Sequence, residues 1–234
     1  MNRPVAVVAG AGPGLGRALA QRFALAGLRV ALLARDARRL DALAASVGAD
    51  AHPIACDLTE PNSVSAAFEQ VDRELGAAQC VVFNAGTFRP GAVLDIAAQD
   101  FLDCWKTGCF AGFLVGQQAA RRMVERGSGT LLFTGATASL RGGARFANLA
   151  SPKFALRALA QSMARELGPR GVHVAHVIID GQIRAPDRQE PDASRGPDSQ
   201  LEPAAIAESY WQLHVQARSA WTLELDLRPW VERF

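Results

Sequence analysis

Short, almost unbroken apolar runs alternate along this chain with longer segments whose apolar residues recur every three or four positions. Runs of the first kind lie at 4–9, 29–34, 51–56, 80–83, 130–134 and 172–179. Separated as they are by helical patterns, they predict strands buried on both faces of a parallel, doubly wound α/β sheet. Helices are predicted over 15–26, 36–46, 61–75, 98–126, about 149–167 and 204–217. The long 98–126 stretch carries Phe101, Cys104, Trp105, Phe110, Phe113, Leu114 and Met123 at helical spacing, and it ends in Arg121, Arg122 and Arg126. Cations suit the negative end of a helix, and this stretch reads as core and subunit-contact surface. From Trp221 to Arg228 apolar and polar residues alternate, predicting a final strand over 221–228 stopped by Pro229. Residues 184–203 are rich in Pro and charge and poor in large apolar groups, which predicts a mobile loop on the substrate side.

The first apolar run leads directly into Gly10-Ala11-Gly12-Pro13-Gly14-Leu15-Gly16, where the helical pattern of Leu15, Leu19, Phe23 and Ala26 begins. A strand that turns through glycines into a helix is built to hold a diphosphate. The glycines permit the tight turn and a close backbone approach, and the helix N-terminus turns its N–H groups toward the anion. The position after a strand and before a helix is what gives the motif its weight.

At 234 residues the chain can bury a substantial core, and the uniform alternation predicts one domain over 1–234. A formal net charge of +2 offers no electrostatic case for nucleic acid or an anionic membrane. The cations are almost all Arg, with Lys106 and Lys153 the only lysines. Cys56, Cys80, Cys104 and Cys109 show neither C-x-x-C spacing nor a neighbouring His pair, so they predict reduced core thiols and no metal site. No apolar run reaches the ~18 residues of a membrane span, and the expected location is cytoplasmic.

With these elements in place, the chain resembles the short-chain dehydrogenase/reductase family over nearly its full length. Asp57-Leu58 follows the third strand, where the family places its adenine-contacting acid. Asn84-Ala85-Gly86 follows the fourth strand and matches the family's cofactor-side turn, and Lys153 lies in the helix after the fifth. The resemblance implies a Rossmann-type fold, a nicotinamide dinucleotide and a small-molecule substrate. It assigns Gly10, Gly12, Gly14, Leu15, Gly16, Asp57, Leu58, Asn84, Ala85, Gly86 and Lys153 to the cofactor. At the tip of the second strand, where NAD-specific members carry an acid, this chain has Ala34 followed by Arg35. That pattern resembles NADP(H)-preferring members, with Arg35 on the 2′-phosphate and Arg38 or Arg39 beside it. In the alternative, these arginines are a solvated helix start and Asp36 reads NAD.

The catalytic half of the resemblance is incomplete. The family's proton donor is a Tyr four residues before the Lys, and here that position is Leu149. Its catalytic Ser falls on Ala136 and its structural Asn, which kinks the long helix, on Gly108. Lys153 alone is retained, in a ribose-binding role, and the sole tyrosine, Tyr210, is outside the motif. Substitute groups for the chemistry are Thr137 and Ser139 after the fifth strand, Asp180 after the sixth, and His176. Three functions fit this pattern: an NADP(H)-dependent oxidoreductase with an atypical site, a cofactor-binding sensor or assembly partner, or a non-redox enzyme in the same pocket. The resemblance also implies a homodimer or homotetramer paired through the two long helices.

Overall fold

The computed structural model describes residues 3–184 and 196–232. Its strands are β1 (Val5–Ala9), β2 (Arg29–Ala34), β3 (Ala51–Ala55), β4 (Ala78–Phe83), β5 (Gly129–Thr134), β6 (Val172–Ile179) and β7 (Glu224–Leu227). They form one sheet in the order β3-β2-β1-β4-β5-β6-β7, and every neighbouring pair is parallel. This is the Rossmann-type, doubly wound α/β fold expected from the alternating pattern.

Strands buried on both faces need apolar residues at every position, and β1 meets that demand with five buried residues. Val5, Val7 and Ala9 join a core with Phe68 of α3 (Pro61–Glu74), Val115 of α5 (Ala111–Arg126) and Leu156 of α6 (Ala147–Leu167). Ala6 and Val8 face the opposite core, with Leu19 and Phe23 of α1 (Leu15–Leu25), Leu40 of α2 (Ala37–Val47) and Tyr210 of α7 (Pro203–His214). A one-residue register slip would exchange the two sets, so the paired cores fix the sheet.

The expected 98–126 helix is divided. Helix α4 (Ala98–Trp105) passes through a π-helical turn at Lys106–Phe110 into α5. The turn is centred on Gly108, where a β-carbon would stand 2.9 Å from Cβ of Pro152 in α6. Gly108 thus leaves room for a proline one helix away, and the backbone widens where the two meet. Two of the terminal arginines also act as cross-links. Arg122 donates to Asp72 at 2.5 Å and Arg126 to the carbonyl of Ala78, tying α5 to α3 and β4.

The last strand is shorter than the 221–228 alternation predicts, because Trp221 and Thr222 have other partners. Trp221 stacks on His173, with ring centroids 5.0 Å apart, and the Thr222 carbonyl meets His173 Nε2 at 2.8 Å. Of the predicted 184–203 loop, 185–195 lie outside the described residues. Its flanks are joined by a bridge between Ile183 and Leu201. All four cysteines are free and buried, and no group of metal-ligating side chains occurs among the described residues. Likewise, no helix among them is long and apolar enough to cross a membrane.

Candidate active site

Because β1 and β4 are neighbours from which the chain winds in opposite directions, a crevice opens at their carboxyl ends. The glycine turn lies in it. Gly10 has φ +91°, and a β-carbon there would overlap the backbone of Ala85. The turns after β1 and β4 are therefore in direct contact, and Asn84 locks them: its N–H donates to Ala9 and its Nδ2 to the Gly10 carbonyl at 3.2 Å. Gly16 packs on the turn itself, its β-carbon position 3.0 Å from Cα of Ala11. Leu15 is buried, so it can offer a ligand only its backbone.

Gly12 and Gly14 differ in kind, since β-carbons on them would meet nothing within 4 Å. Protein packing does not require glycine there. The first turn of α1 has no side-chain cap and no acidic residue; the Arg17 N–H donates to the Gly12 carbonyl at 2.8 Å, and those of Leu15 and Gly16 are left for an anion. Open glycines before an uncapped helix fit the diphosphate of a dinucleotide.

Beyond this turn, a cleft of ≈ 770 Å³ is lined by Gly12, Arg17, Arg35, Asp36 and Arg39. A second one, ≈ 210 Å³, runs past Gly10, Ala34, Arg35, Asp57, Leu58, Asn84, Ala85 and Gly86. Arg35 borders both. Asp36 caps α2 by accepting from Arg39 N at 3.1 Å and pairs with the Arg39 guanidinium at 3.2 Å. Both side chains of this pair are exposed to solvent. One Asp57 oxygen is similarly held, by the Thr59 N–H and hydroxyl.

At the other end, Lys153 is buried on α6, and its Nζ donates to the Thr134 carbonyl at 2.6 Å. Nζ lies 3.7 Å from where a β-carbon of Gly86 would be, so the amino group abuts the cofactor-side turn. Burial pushes its pKa down to about 8. Leu149 stands one turn earlier on the same helix, and helical periodicity puts i and i+4 on one face.

The hydroxyls near Lys153 are committed elsewhere. Thr137 Oγ1 donates to Asp180 Oδ1 at 2.5 Å, and Asp180, itself buried, lies 3.5 Å from Arg228. Ser139 is fully buried: its Oγ accepts from Ala136 N at 3.1 Å and sits 3.4 Å from His176 Nε2. It points into the fold, beneath Gly135, where His176 also packs. Burial above all, and the nearby Lys153 charge, push the His176 pKa down to about 4, so this imidazole is neutral. Tyr210 OH is 2.9 Å from Thr134 Oγ1 in the core beneath the sheet.

Four residues near the site escaped the sequence reading. Arg17 reaches the arginine cleft from the first turn of α1, and its place one residue after Gly16 was the available signal. Asn148 is buried and its Nδ2 donates to the Arg89 carbonyl at 3.0 Å, fastening the loop after Gly86 to α6. Phe88 and Phe146 stack with centroids 4.7 Å apart, a pairing between segments far apart in the chain that no periodicity announces.

Known proteins share this sequence pattern and fold. The family model for short chain dehydrogenases matches residues 4–191. A short-chain dehydrogenase/reductase of Armillaria gallica is 34% identical over 188 residues, covering 78% of this chain and 72% of that protein. The crystal structure of a short-chain dehydrogenase from Rhodopseudomonas palustris is 38% identical, with TM-score 0.84 over 97% of this chain and 99% of the other. A metagenomic short-chain oxidoreductase in complex with NADP is 28% identical, with TM-score 0.84 over 97% of both chains. A glycine turn locked to Asn84, a lysine behind Gly86 and a match that spans the sheet have one common source: the chain belongs to the short-chain dehydrogenase family of oxidoreductases.

Proposed function

We propose that this protein binds NADP(H) in the β1–β4 crevice and acts as an oxidoreductase on a carbonyl or alcohol through an atypical site. The observation that carries the reading is Lys153, buried against Gly86, whose cleft runs to Arg35, where a second cleft lined by Arg17 and Arg35 begins. When bound, the nicotinamide supplies or takes up hydride. Gly12, Gly14 and the α1 N-terminus hold the diphosphate, and Asp57, Leu58, Asn84 and Ala85 border the adenosine. Arg35 and Arg17 take the 2′-phosphate, for which a guanidinium is the matching partner. NAD lacks that phosphate and gains nothing from either cation. Lys153 holds the nicotinamide ribose, with Gly86 leaving it room.

Leu149 and Ala136 stand where the family pattern has Tyr and Ser, so substrate meets apolar groups there, while Gly108, at the Asn position, is buried against Pro152. With its own proton given to Asp180, Thr137 accepts from the hydroxyl of an alcohol substrate, and Asp180 positions Thr137. The stacked Phe88 and Phe146 border the entrance and favour a substrate with an apolar portion. Phe101, Trp105, Phe113 and Phe154 leave exposed aromatic surface on α4, α5 and α6. That surface pairs with a second copy of the chain, giving a homodimer or homotetramer. Four reduced cysteines are in keeping with a cytoplasmic location.

The test is a fluorescence titration with NADPH and NADH, followed by NADPH consumption over a panel of carbonyls. Tighter binding of NADPH and measurable consumption are expected. Failure to bind either cofactor overturns the reading. Binding without consumption points instead to a cofactor-dependent sensor, the role that three apolar replacements would favour.

A further inference from the structure

Lys153 is a buried ammonium without a carboxylate partner among the described residues. Its one hydrogen bond there goes to the Thr134 carbonyl at 2.6 Å, and an ammonium has three N–H donors. The other protons near it are already placed. Thr137 gives its own to Asp180, Ser139 is enclosed between Ala136 and His176, and Tyr210 bonds Thr134 from the core side. Leu149, on the same helical face, can neither give a proton nor hold water for a relay. The titratable group facing Lys153 from β6 is His176. The charges around that histidine are Arg157 of α6 and Glu224 of β7, joined by two hydrogen bonds of 2.6 and 2.8 Å. That pair neutralises itself, and the imidazole is uncharged.

Building on the oxidoreductase reading, we propose that Lys153 is itself the acid–base residue of this site, delivering a proton from Nζ to the carbonyl oxygen of the substrate. As hydride reaches the carbonyl carbon, the C=O π pair moves onto oxygen. An Nζ–H bond breaks, an O–H bond forms, and Lys153 is left as a neutral amine that regains its proton from water. Alcohol oxidation runs the same transfer backwards, with the neutral amine as base. The apolar residue at 149 has a direct part in this, because it removes the solvation that would otherwise hold the lysine cationic. Burial brings the ammonium to about 8, near the pH at which an acid–base group is most effective.

With only two lysines in the chain, the titration can be observed directly. Protein labelled with 13C at lysine Cε gives two resonances, assigned with a Lys106→Arg variant. The Lys153 signal is expected to titrate with a midpoint of about 8 in the free protein. Carbonyl reduction should fall as pH rises through the same midpoint. A Lys153→Arg variant keeps the cation but not a transferable proton, so kcat should drop ~10²–10⁴-fold, far more than NADPH binding by fluorescence weakens. A midpoint at the ordinary lysine value of about 10.4 overturns the proposal, and so does Lys153→Arg turnover with the wild-type rate and pH profile. Loss of NADPH binding in the wild-type protein would instead overturn the cofactor reading, and the proposal with it.

Discussion

The hydroxyl of Thr137 donates to the carboxylate of Asp180 at 2.5 Å, joining the turn after β5 to the end of β6. A hydroxyl whose proton is directed at a carboxylate has only lone pairs to offer a substrate. Arg228 lies 3.5 Å from the same carboxylate. With its proton so placed, the Thr137 hydroxyl can accept a hydrogen bond and has none to give a carbonyl oxygen.

A double-mutant cycle of Thr137→Val and Asp180→Asn should return a coupling of about 1–3 kcal/mol in urea unfolding, since the contact is buried and charge-assisted. Additive effects of the two changes would show that the hydrogen bond does not form.

Gly10 and Gly12 are neighbours in one motif with opposite constraints. Gly10→Ala forces a side chain into φ +91° and onto Ala85, and should destabilise the fold by about 2–4 kcal/mol. Gly12→Ala meets no protein atom within 4 Å. Its stability should stay within ~0.5 kcal/mol of wild type, while NADPH affinity falls about tenfold or more because the β-carbon enters the diphosphate site. Thermal melts beside fluorescence titrations separate the two, and unchanged NADPH affinity in Gly12→Ala would remove the diphosphate from this turn.

Arg35→Ala should weaken NADPH by ~10–100-fold, the worth of a charge-assisted contact to the 2′-phosphate, and NADH by less than about 3-fold. Equal losses for the two cofactors would refute a phosphate-reading role.

Restoring polar groups should work unevenly across the three replaced positions. Leu149→Tyr combined with Ala136→Ser should raise carbonyl reduction by about tenfold, because the added phenol takes over a proton transfer that Lys153 already performs. Adding Gly108→Asn should instead cost about 1–3 kcal/mol of stability, because its β-carbon would crowd Pro152 at 2.9 Å. No gain from the double variant would show that the pocket has diverged beyond its side chains.

Acid should destabilise the protein through His176. Its folded pKa of about 4 lies below that of an exposed histidine, so between pH 6.5 and 4 the unfolded chain binds the extra proton. Stability is full above pH 6.5 and falls as pH drops, by about 3 kcal/mol from this group. His173 and His214, also lowered chiefly by burial, act in the same direction. Urea midpoints at several pH values should fall through this window in the wild type and less steeply in His176→Asn. Equal slopes would place the effect on other groups.

Much of the frame was legible in sequence because its signals are local. The six expected inner strands pair in the sheet with shifts of only one or two residues at their ends. Gly10 advertises a backbone that only glycine adopts without strain, and Lys153 lies where its motif puts it. The apolar spacing of 98–126 runs straight through the π-helical turn, and only the position that the resemblance gives to a helix-kinking Asn, Gly108, pointed to it. There Gly108 meets Pro152, which lies in a different helix. The end of β7 failed for a related reason: alternation continues to Trp221, but His173 claims that residue first.

Sequence alone determined the doubly wound sheet and the glycine turn, because periodicity and backbone conformation depend on residues within a few positions of one another. The availability of each proton was decided only by tertiary structure. Ser139 and Thr137 look equivalent in the chain, but His176 encloses the first from 37 positions away and Asp180 binds the second from 43. Hydrogen-bond partners and burial are set by such distant contacts. They commit Thr137 and Ser139 to partners within the fold and bury Lys153 against Gly86.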